Sequence, residues 1–307
     1  MEHLVETLGG EEAQCYASFL QRDVLFVSLL SGLSGVLVAD VGVQRGNQHQ
    51  GVVEIVVHLL TVCLDTNCAV VIKGENCLGQ QSCGLEEVVG GNRHEYVQLE
   101  VTLRDRLVKE KIDAFYCSPL GRAQRTAEPT LKALGVEAET LHWLREFDSH
   151  LISPFTGKKR IAWDYPPYIW CKDMRNYHLT DWENSDLVQL SDAPAVFRET
   201  AEGVDELLSR YGWCREGMLY RGGEDKTIAL VCHFALGITI LAYLLGISPI
   251  IAQNNFFMAP TSVTTLVTET DSQGYSHFRA TGVGDVSHLY VVGEAPSESG
   301  LYPNFET

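Results

Sequence analysis

The sequence predicts an α/β protein built as a three-layer sandwich with a mostly parallel sheet, preceded by an atypical Val/Gly-rich segment. Its 307 residues, 45% of them hydrophobic, are enough for one large core or two small ones. From Val101 onward, strand-like and helix-like stretches alternate, as they do in α/β folds. The near-continuous apolar stretch at 227–232 (TIALVC) is typical of a strand buried on both faces. Together these observations favour helices packed on both faces of a sheet.

The first half of this region predicts helix, strand, helix and strand in turn. Leu103 and Leu107 lie four residues apart and therefore share one face of a helix. Gly135 is a natural C-terminal cap for the helix expected before it, and Pro129 can kink that helix. The expected elements are a helix at 101–111, a strand at 112–117, a helix at 121–134 and a strand at 137–142.

The second half begins with a stretch at 149–191 that is rich in Pro and Trp and has no regular period, which indicates an insertion over the sheet. An amphipathic helix follows, with Asp192 and Pro194 at its start and Gly212 at its stop. The expected elements are a helix at 195–211, a strand at 227–232, a helix at 235–245 and an antiparallel pair at 262–268 and 276–281.

The segment 1–97 differs in composition from the rest of the chain. All ten prolines lie at or after Pro119, and the chain before Tyr96 has one lysine and one other tyrosine. Two interpretations stay open: a separate β-leaning domain, or a wrong translation joined to a real domain. The lack of clean period-2 or period-3.6 patterning favours the second, with poor packing before about residue 101. The expected domain therefore spans 98–307, with the insertion at 149–191.

Charge and cysteine usage exclude some classes of protein. With 40 acidic residues against 23 Lys and Arg, the formal net charge of -17 argues against binding to nucleic acid. An anionic substrate would therefore need a local basic cluster. The nine cysteines form no dense framework, which fits reduced thiols in the cytoplasm. The pairs Cys63/Cys68 and Cys77/Cys83 are spaced too loosely for a usual zinc knuckle, so core thiols are preferred over a metal site.

An uncharged run at 24–39 raises the question of a membrane segment. Its 16 residues fall short of the ~20 that span a bilayer. The preceding flank carries Glu2, Glu6, Glu11 and Glu12, the wrong sign for a signal peptide. A buried helix or a broken strand pair is therefore the preferred interpretation, and a membrane-associated protein is the weaker one.

Polar side chains follow three of the predicted strands. Arg122 lies in the first turn of a helix after Ser118, Glu146 follows the next strand, and His233 follows the strand TIALVC. Taken singly, each is most simply a surface or structural side chain. Ligands in open α/β sheets bind beyond the carboxyl ends of the strands, so the three together predict a site. Arg122 and the helix N-terminus can point at one anion.

The residues around this predicted site resemble a known family. Residues 118–127 (SPLGRAQRTA) closely resemble the SPLxRAxxTA motif of the histidine phosphatase, or phosphoglycerate-mutase-like, superfamily. The segments 144–147 (LREF) and 231–234 (VCHF) resemble that family's acid-bearing and late histidine segments, in the same order. The resemblance covers roughly 101–295, and it implies a phosphoglycerate-mutase-like fold.

The resemblance implies a phosphohistidine mechanism acting on a small phosphorylated substrate, without cofactor or metal. A histidine nucleophile takes the phosphoryl group, and arginines neutralise its oxygens. Arg122 and Ser118 would bind the substrate, Glu146 would protonate the leaving oxygen, and His233 would contact the transferring group. The aromatic side chains of the 149–191 insertion would mostly pack it on the sheet, and the identity of the substrate stays open.

The chain departs from the family at the nucleophile. In the family, the first strand ends in Arg-His-Gly, and this tripeptide does not occur in the chain. The most similar tripeptide, Arg93-His94-Glu95, is too close to Ser118 for the usual loop and helix between the two motifs. Three functions therefore stay open: a phosphomonoester hydrolase that is impaired at its nucleophile, an inactive phosphate-binding protein, and a mutase-type phosphotransferase. We expect little turnover.

Overall fold

The computed structural model of the chain describes residues 55–61, 93–161 and 167–298. Its strands are β1 Ile55–Thr61, β2 Ala114–Cys117, β3 Ala138–Thr140, β4 His150–Ile152, β5 Lys159–Ile161, β6 Trp213–Glu216, β7 Leu219–Gly222, β8 Lys226–Cys232, β9 Val263–Thr270 and β10 Tyr275–Asp285. Its α-helices are α1 Arg93–Leu107, α2 Gly121–Leu134, α3 Pro167–Trp170, α4 Ala193–Ser209, α5 Phe234–Leu245, α6 Pro249–Asn255 and α7 Ser287–Val292.

The large sheet has the strand order β3-β2-β8-β1-β9-β10-β7-β6 in the part of the chain that the structure describes. β3, β2, β8 and β1 are mutually parallel, and antiparallel pairing begins between β1 and β9. From the pairings, six of the eight strands run in one direction, and only β9 and β7 oppose it. The predicted α/β class with a mostly parallel sheet is confirmed, and the parallel half places several strand ends at one edge.

Helices cover both faces of this sheet. Side chains of β1 alternate between the faces: Leu59 joins the core beneath α4 and α5, and Leu60 joins the core beneath α1 and α2. The α5 sequence is apolar nearly all round and is buried along most of its length, as a helix inside a core should be. Gly135 ends α2 with a φ of 67°, the left-handed conformation expected of a C-terminal glycine.

The strand β1 lies inside the segment 1–97, which the sequence analysis placed outside the domain. It pairs with β8 on one side and β9 on the other, at the centre of the sheet. Val57, Leu59 and Leu60 are each no more than 2% exposed. The near-continuous apolar run IVVHLLT suits a strand buried on both faces, but similar runs surround it in a valine-rich sequence, so only the pairing identifies the strand. The remainder of the segment, 1–54 and 62–92, lies outside the described residues.

Other boundaries also differ from expectation. The helix expected at 101–111 runs from Arg93 to Leu107, because Leu99 adds a turn to the buried face formed by Leu103 and Leu107. The sequence analysis missed the β6–β7 hairpin, where the left-handed Gly217 makes the turn, and it also missed α6 and α7. The insertion at 149–191 contains the β4–β5 hairpin and several short 3-10 turns in its described part.

The predictions about a membrane segment, a metal site and the cysteines concern residues that the structure describes only in part. The run 24–39 and the cysteines at positions 63 to 83 lie outside the described residues. Within the described ranges, no helix combines the length and apolar character needed to cross a membrane. The same ranges hold no group of three or more His, Cys, Asp or Glu side chains suited to a metal ion. The described cysteines, Cys117, Cys171, Cys214 and Cys232, are free thiols.

Candidate active site

The parallel half of the sheet brings the predicted polar residues together. β2 and β8 are neighbours, with Cys117 paired to Val231, so the residues that follow each strand emerge side by side. The N–H of Ser118 donates to the Val231 carbonyl at 2.9 Å and extends this pairing by one residue. His233 follows directly as the N-terminal cap of α5. The site therefore forms where two central strands turn into helices.

Ser118, His233 and Arg122 form one hydrogen-bonded chain. The Ser118 Oγ lies 2.7 Å from His233 Nε2, and the Arg122 Nε donates to His233 Nδ1 at 3.1 Å. The N–H of Leu120 donates to the same serine oxygen at 3.2 Å. Both Ser118 and His233 have no measurable exposure, so these bonds form away from bulk water. The imidazole is held at both nitrogens.

Arg122 projects from the start of α2, where the helix offers unpaired backbone N–H groups. Neither a side-chain cap at Leu120 nor an acidic residue in the first turn neutralises this end. The amide of Gln124 donates to the Ser118 carbonyl at 2.6 Å and fixes the turn between β2 and α2. The structure therefore places the guanidinium beside a helix N-terminus, an arrangement that suits an anion, and anion binding there stays a prediction.

Glu146 lies against the N-terminus of α5. Its Oε1 accepts hydrogen bonds from the N–H groups of Phe147 at 3.0 Å and Leu236 at 3.2 Å. Burial raises the pKa of the Glu146 carboxyl to about 6, although these bonds and the charge of Arg122 act in the opposite direction. A carboxyl that titrates there can hold a proton near neutral pH and deliver it to a leaving oxygen.

Burial has the opposite effect on the neighbouring imidazole. It lowers the pKa of His233 to about 3, with a further contribution from the positive charge of Arg122. His233 is therefore neutral in the resting protein at neutral pH. The site then contains one fixed positive charge, on Arg122, and one carboxyl that is partly protonated.

The nucleophile is the part of the family pattern that the described residues do not supply. β1 ends beside β8, with Thr61 paired to Cys232, so its carboxyl end points to the same edge as His233. The residues that follow it in the sequence are Val62-Cys63-Leu64, not Arg-His-Gly. His94, the other residue considered for this role, lies in the first turn of α1 rather than at a strand end.

All four residues of this cluster are predicted from the sequence, but their contacts with one another are not. Ser118 is predicted to bind substrate, and in the structure its hydroxyl contacts His233. The supporting contacts of Gln124 and of the α5 backbone have no counterpart in the prediction. Their contacts join residues as far as 90 positions apart in sequence, and no local pattern carries that information.

Comparison with known proteins gives one match to a family model. Residues 98–281 match the model described as the histidine phosphatase superfamily, branch 1. No curated protein sequence matches the chain at a significant level.

Solved structures give low-similarity matches. A mycobacterial hydrolase matches with 18% identity and a TM-score of 0.45, covering 76% of this chain and 99% of that one. A phosphoserine phosphatase variant from Entamoeba histolytica, in complex with phosphoserine, matches with 18% identity and a TM-score of 0.44, covering 77% and 98%. A mycobacterial glucosyl-3-phosphoglycerate phosphatase matches with 19% identity and a TM-score of 0.43, covering 76% and 98%.

Proposed function

Because the chain belongs to branch 1 of the histidine phosphatase superfamily, we propose that this site binds a small phosphomonoester for hydrolysis. Arg122 and His233 bind the phosphoryl oxygens, and Glu146 protonates the leaving oxygen. The observation that carries the proposal is the convergence of a guanidinium, an imidazole and a raised-pKa carboxyl at one edge of the sheet. Phosphoryl transfer depends mainly on such positioning and charge stabilisation.

The family mechanism adds a covalent step at a histidine. The nucleophilic nitrogen attacks phosphorus, the bond to the leaving oxygen breaks, and Glu146 gives that oxygen a proton. Water then hydrolyses the phosphohistidine, and the carboxyl recovers a proton from that water. No metal is needed, since the arginine supplies the positive charge. The free thiols at the described cysteines support a reducing, cytoplasmic setting.

A second candidate function is phosphate binding without turnover. One observation favours it: the strand that should lead into Arg-His-Gly is present as β1, but the sequence continues Val62-Cys63-Leu64. The oxyanion would then bind at Arg122 and His233 with no imidazole in line to attack it. The two candidates share the binding step and differ only in catalysis.

The binding step is tested with Arg122→Ala. We expect vanadate and inorganic phosphate to bind at least about tenfold more weakly, because a charged hydrogen bond contributes about 1.5–3 kcal/mol. Lys132→Ala is the matched control, since Lys132 is an exposed cation near the other end of the same helix. Binding measured by calorimetry that is unchanged in Arg122→Ala would refute the site assignment.

A further inference from the structure

In the resting site, the hydrogen bonds of His233 with Arg122 and Ser118 determine which imidazole nitrogen carries the hydrogen. The Nε–H of an arginine can only donate, so its bond at 3.1 Å requires a lone pair on His233 Nδ1. Neutral imidazole carries its one hydrogen on the other nitrogen, and Nε2–H therefore donates to the Ser118 Oγ at 2.7 Å. The contacts select a single tautomer.

This tautomer also removes one alternative chemistry. A serine and a histidine at 2.7 Å have the spacing of an activated nucleophile and its base. A base needs a lone pair toward the hydroxyl, and here His233 presents its hydrogen instead. The Ser118 oxygen already accepts from Leu120 N–H as well, so it serves as an acceptor for two donors. Ser118 is thus an anchor for the imidazole and not a nucleophile.

A bound oxyanion cannot be accommodated by this arrangement without a proton. Phosphoryl oxygens are acceptors, and the lone pair on Nδ1 would repel one placed beside it. Protonation of Nδ1 turns it into a donor and breaks its bond with Arg122. The released Nε–H of Arg122 then becomes available to the same oxyanion. Both groups change from bonding each other to bonding the ligand.

We propose that Arg122 fixes the Nε2–H tautomer of His233 and that Ser118 is a positioning residue that accepts this hydrogen, so that oxyanion binding is accompanied by uptake of one proton at Nδ1. The proton comes from the solvent and remains on the imidazole while the anion is bound. This inference rests on the proposed function, because it assumes that the site binds the phosphoryl group. It adds a specific state of His233 and a role for Ser118.

The charges around His233 explain why the proton arrives with the ligand. In the described residues, burial of the imidazole and, after it, the charge of Arg122 from α2 disfavour a positive charge on His233. Glu146, from the loop after β3, lies close enough to Arg122 to feel its charge, and it is partly protonated near neutral pH. Cys232 on β8 is a neutral buried thiol. A dianion placed between Arg122 and His233 supplies the negative charge that stabilises an imidazolium.

Proton uptake is measured most cleanly with sulfate. Sulfate remains a dianion across the neutral range, so any proton taken up on binding belongs to the protein. Calorimetric titrations at pH 7.5 in two buffers of different ionisation enthalpy should give close to one proton per bound sulfate. Binding without proton uptake would overturn the inference and leave the proposed function standing. Absence of sulfate binding would overturn both.

The tautomer of His233 is determined by nitrogen NMR of its imidazole in the full chain. With His233→Gln used for assignment, free protein should show a protonated Nε2 and an unprotonated Nδ1, and sulfate should convert Nδ1 to the protonated form. Signals for the opposite tautomer in the free protein would overturn the inference. The calorimetric measurement uses the unaltered chain alone, and the NMR measurement uses a variant only to assign the signals.

The role of Ser118 is tested by Ser118→Ala and Ser118→Thr. We expect the alanine variant to take up clearly less than one proton per sulfate at pH 7.5, because the imidazolium has lost the acceptor of its Nε2–H, and to bind sulfate up to about tenfold more weakly, the loss of one hydrogen bond. The threonine variant, which retains the hydroxyl, should restore both. Ser185→Ala is the matched control, since Ser185 is equally buried and its hydroxyl has no partner among the described residues. An alanine variant with unchanged proton uptake and unchanged sulfate affinity would overturn the role of Ser118.

Discussion

Glu146 and His233 meet at the same end of α5, and burial moves their pKa values in opposite directions. Water stabilises the charged form of each group, and its removal favours the neutral form of both. The pKa of the acid therefore rises to about 6, and that of the imidazole falls to about 3. At the scale of single residues, the site thus contains the fixed charge of Arg122, a neutral imidazole and a carboxyl that ionises as the pH rises through about 6.

The raised pKa of Glu146 lowers the stability of the folded protein by an amount that depends on pH. The folded protein holds this proton more tightly than the unfolded chain, whose pKa is near 4.5. The cost is absent below pH 4.5, appears as the pH rises through 4.5 to 6, and is complete above that range. Glu146→Gln should therefore be more stable than the original chain at pH 7.5, by at most about 2 kcal/mol, and equal to it near pH 4.

Urea unfolding at the two pH values measures this difference. Glu137→Gln is the matched control, because Glu137 is an exposed carboxyl that should respond equally little at both. A Glu146→Gln effect of the same size at pH 4 and pH 7.5 would show that the carboxyl does not carry the proton in the folded state.

At the scale of elements, β1 decides whether the sheet is complete. Without it, β8 and β9 would lose their shared neighbour, and both cores would lose buried side chains. The strand also brings the chain to the carboxyl edge where Arg122 and His233 lie. A strand of seven residues in a valine-rich part of the sequence thus ends at the same edge of the sheet as the site.

The importance of β1 is tested by Leu59→Ala. Leu59 has no measurable exposure, and removing such a side chain costs about 2–5 kcal/mol through lost burial and a residual cavity. Leu190→Ala, at a leucine that is 51% exposed, should cost well under 1 kcal/mol. The two variants are compared by urea unfolding followed by circular dichroism. Equal effects in the two would mean that β1 is not part of the core.

At the scale of the whole molecule, binding and catalysis depend on different parts of the chain. The parallel half of the sheet positions the groups that we propose bind the anion, while the covalent step of the family needs a histidine after the first strand. The unaltered chain should therefore turn over p-nitrophenyl phosphate poorly while still binding vanadate.

A triple variant tests this separation. In Thr61→Arg/Val62→His/Cys63→Gly, the family's tripeptide begins at the last residue of β1, whose end lies beside β8. We expect turnover of p-nitrophenyl phosphate to rise by several orders of magnitude. Thr61→Arg/Val62→Ala/Cys63→Gly is the matched control and should remain inactive. Robust turnover by the original chain that His94→Ala abolishes would instead identify a nucleophile in α1.

The sequence by itself determined the features that depend on neighbouring residues. The amphipathic faces, the apolar strand β8 and the glycine that ends α2 follow from local periodicity and backbone preference. Arg122 could be assigned to anion binding because its helix start is local as well. The two polar residues Glu146 and His233 could be named from their places after strands and from the family resemblance.

Only the tertiary structure decided how these residues contact one another and where β1 lies. Ser118 and His233 are separated by 115 positions, and their hydrogen bond depends on the pairing of β2 with β8. The pKa of Glu146 depends on burial against α5, to which it is bonded across 90 positions. The residues of β1 suit a strand, but its place at the centre of the sheet is decided by its pairing with two strands that are distant in sequence. Long-range pairing is a property of the assembled sheet, and composition and period carry no record of it.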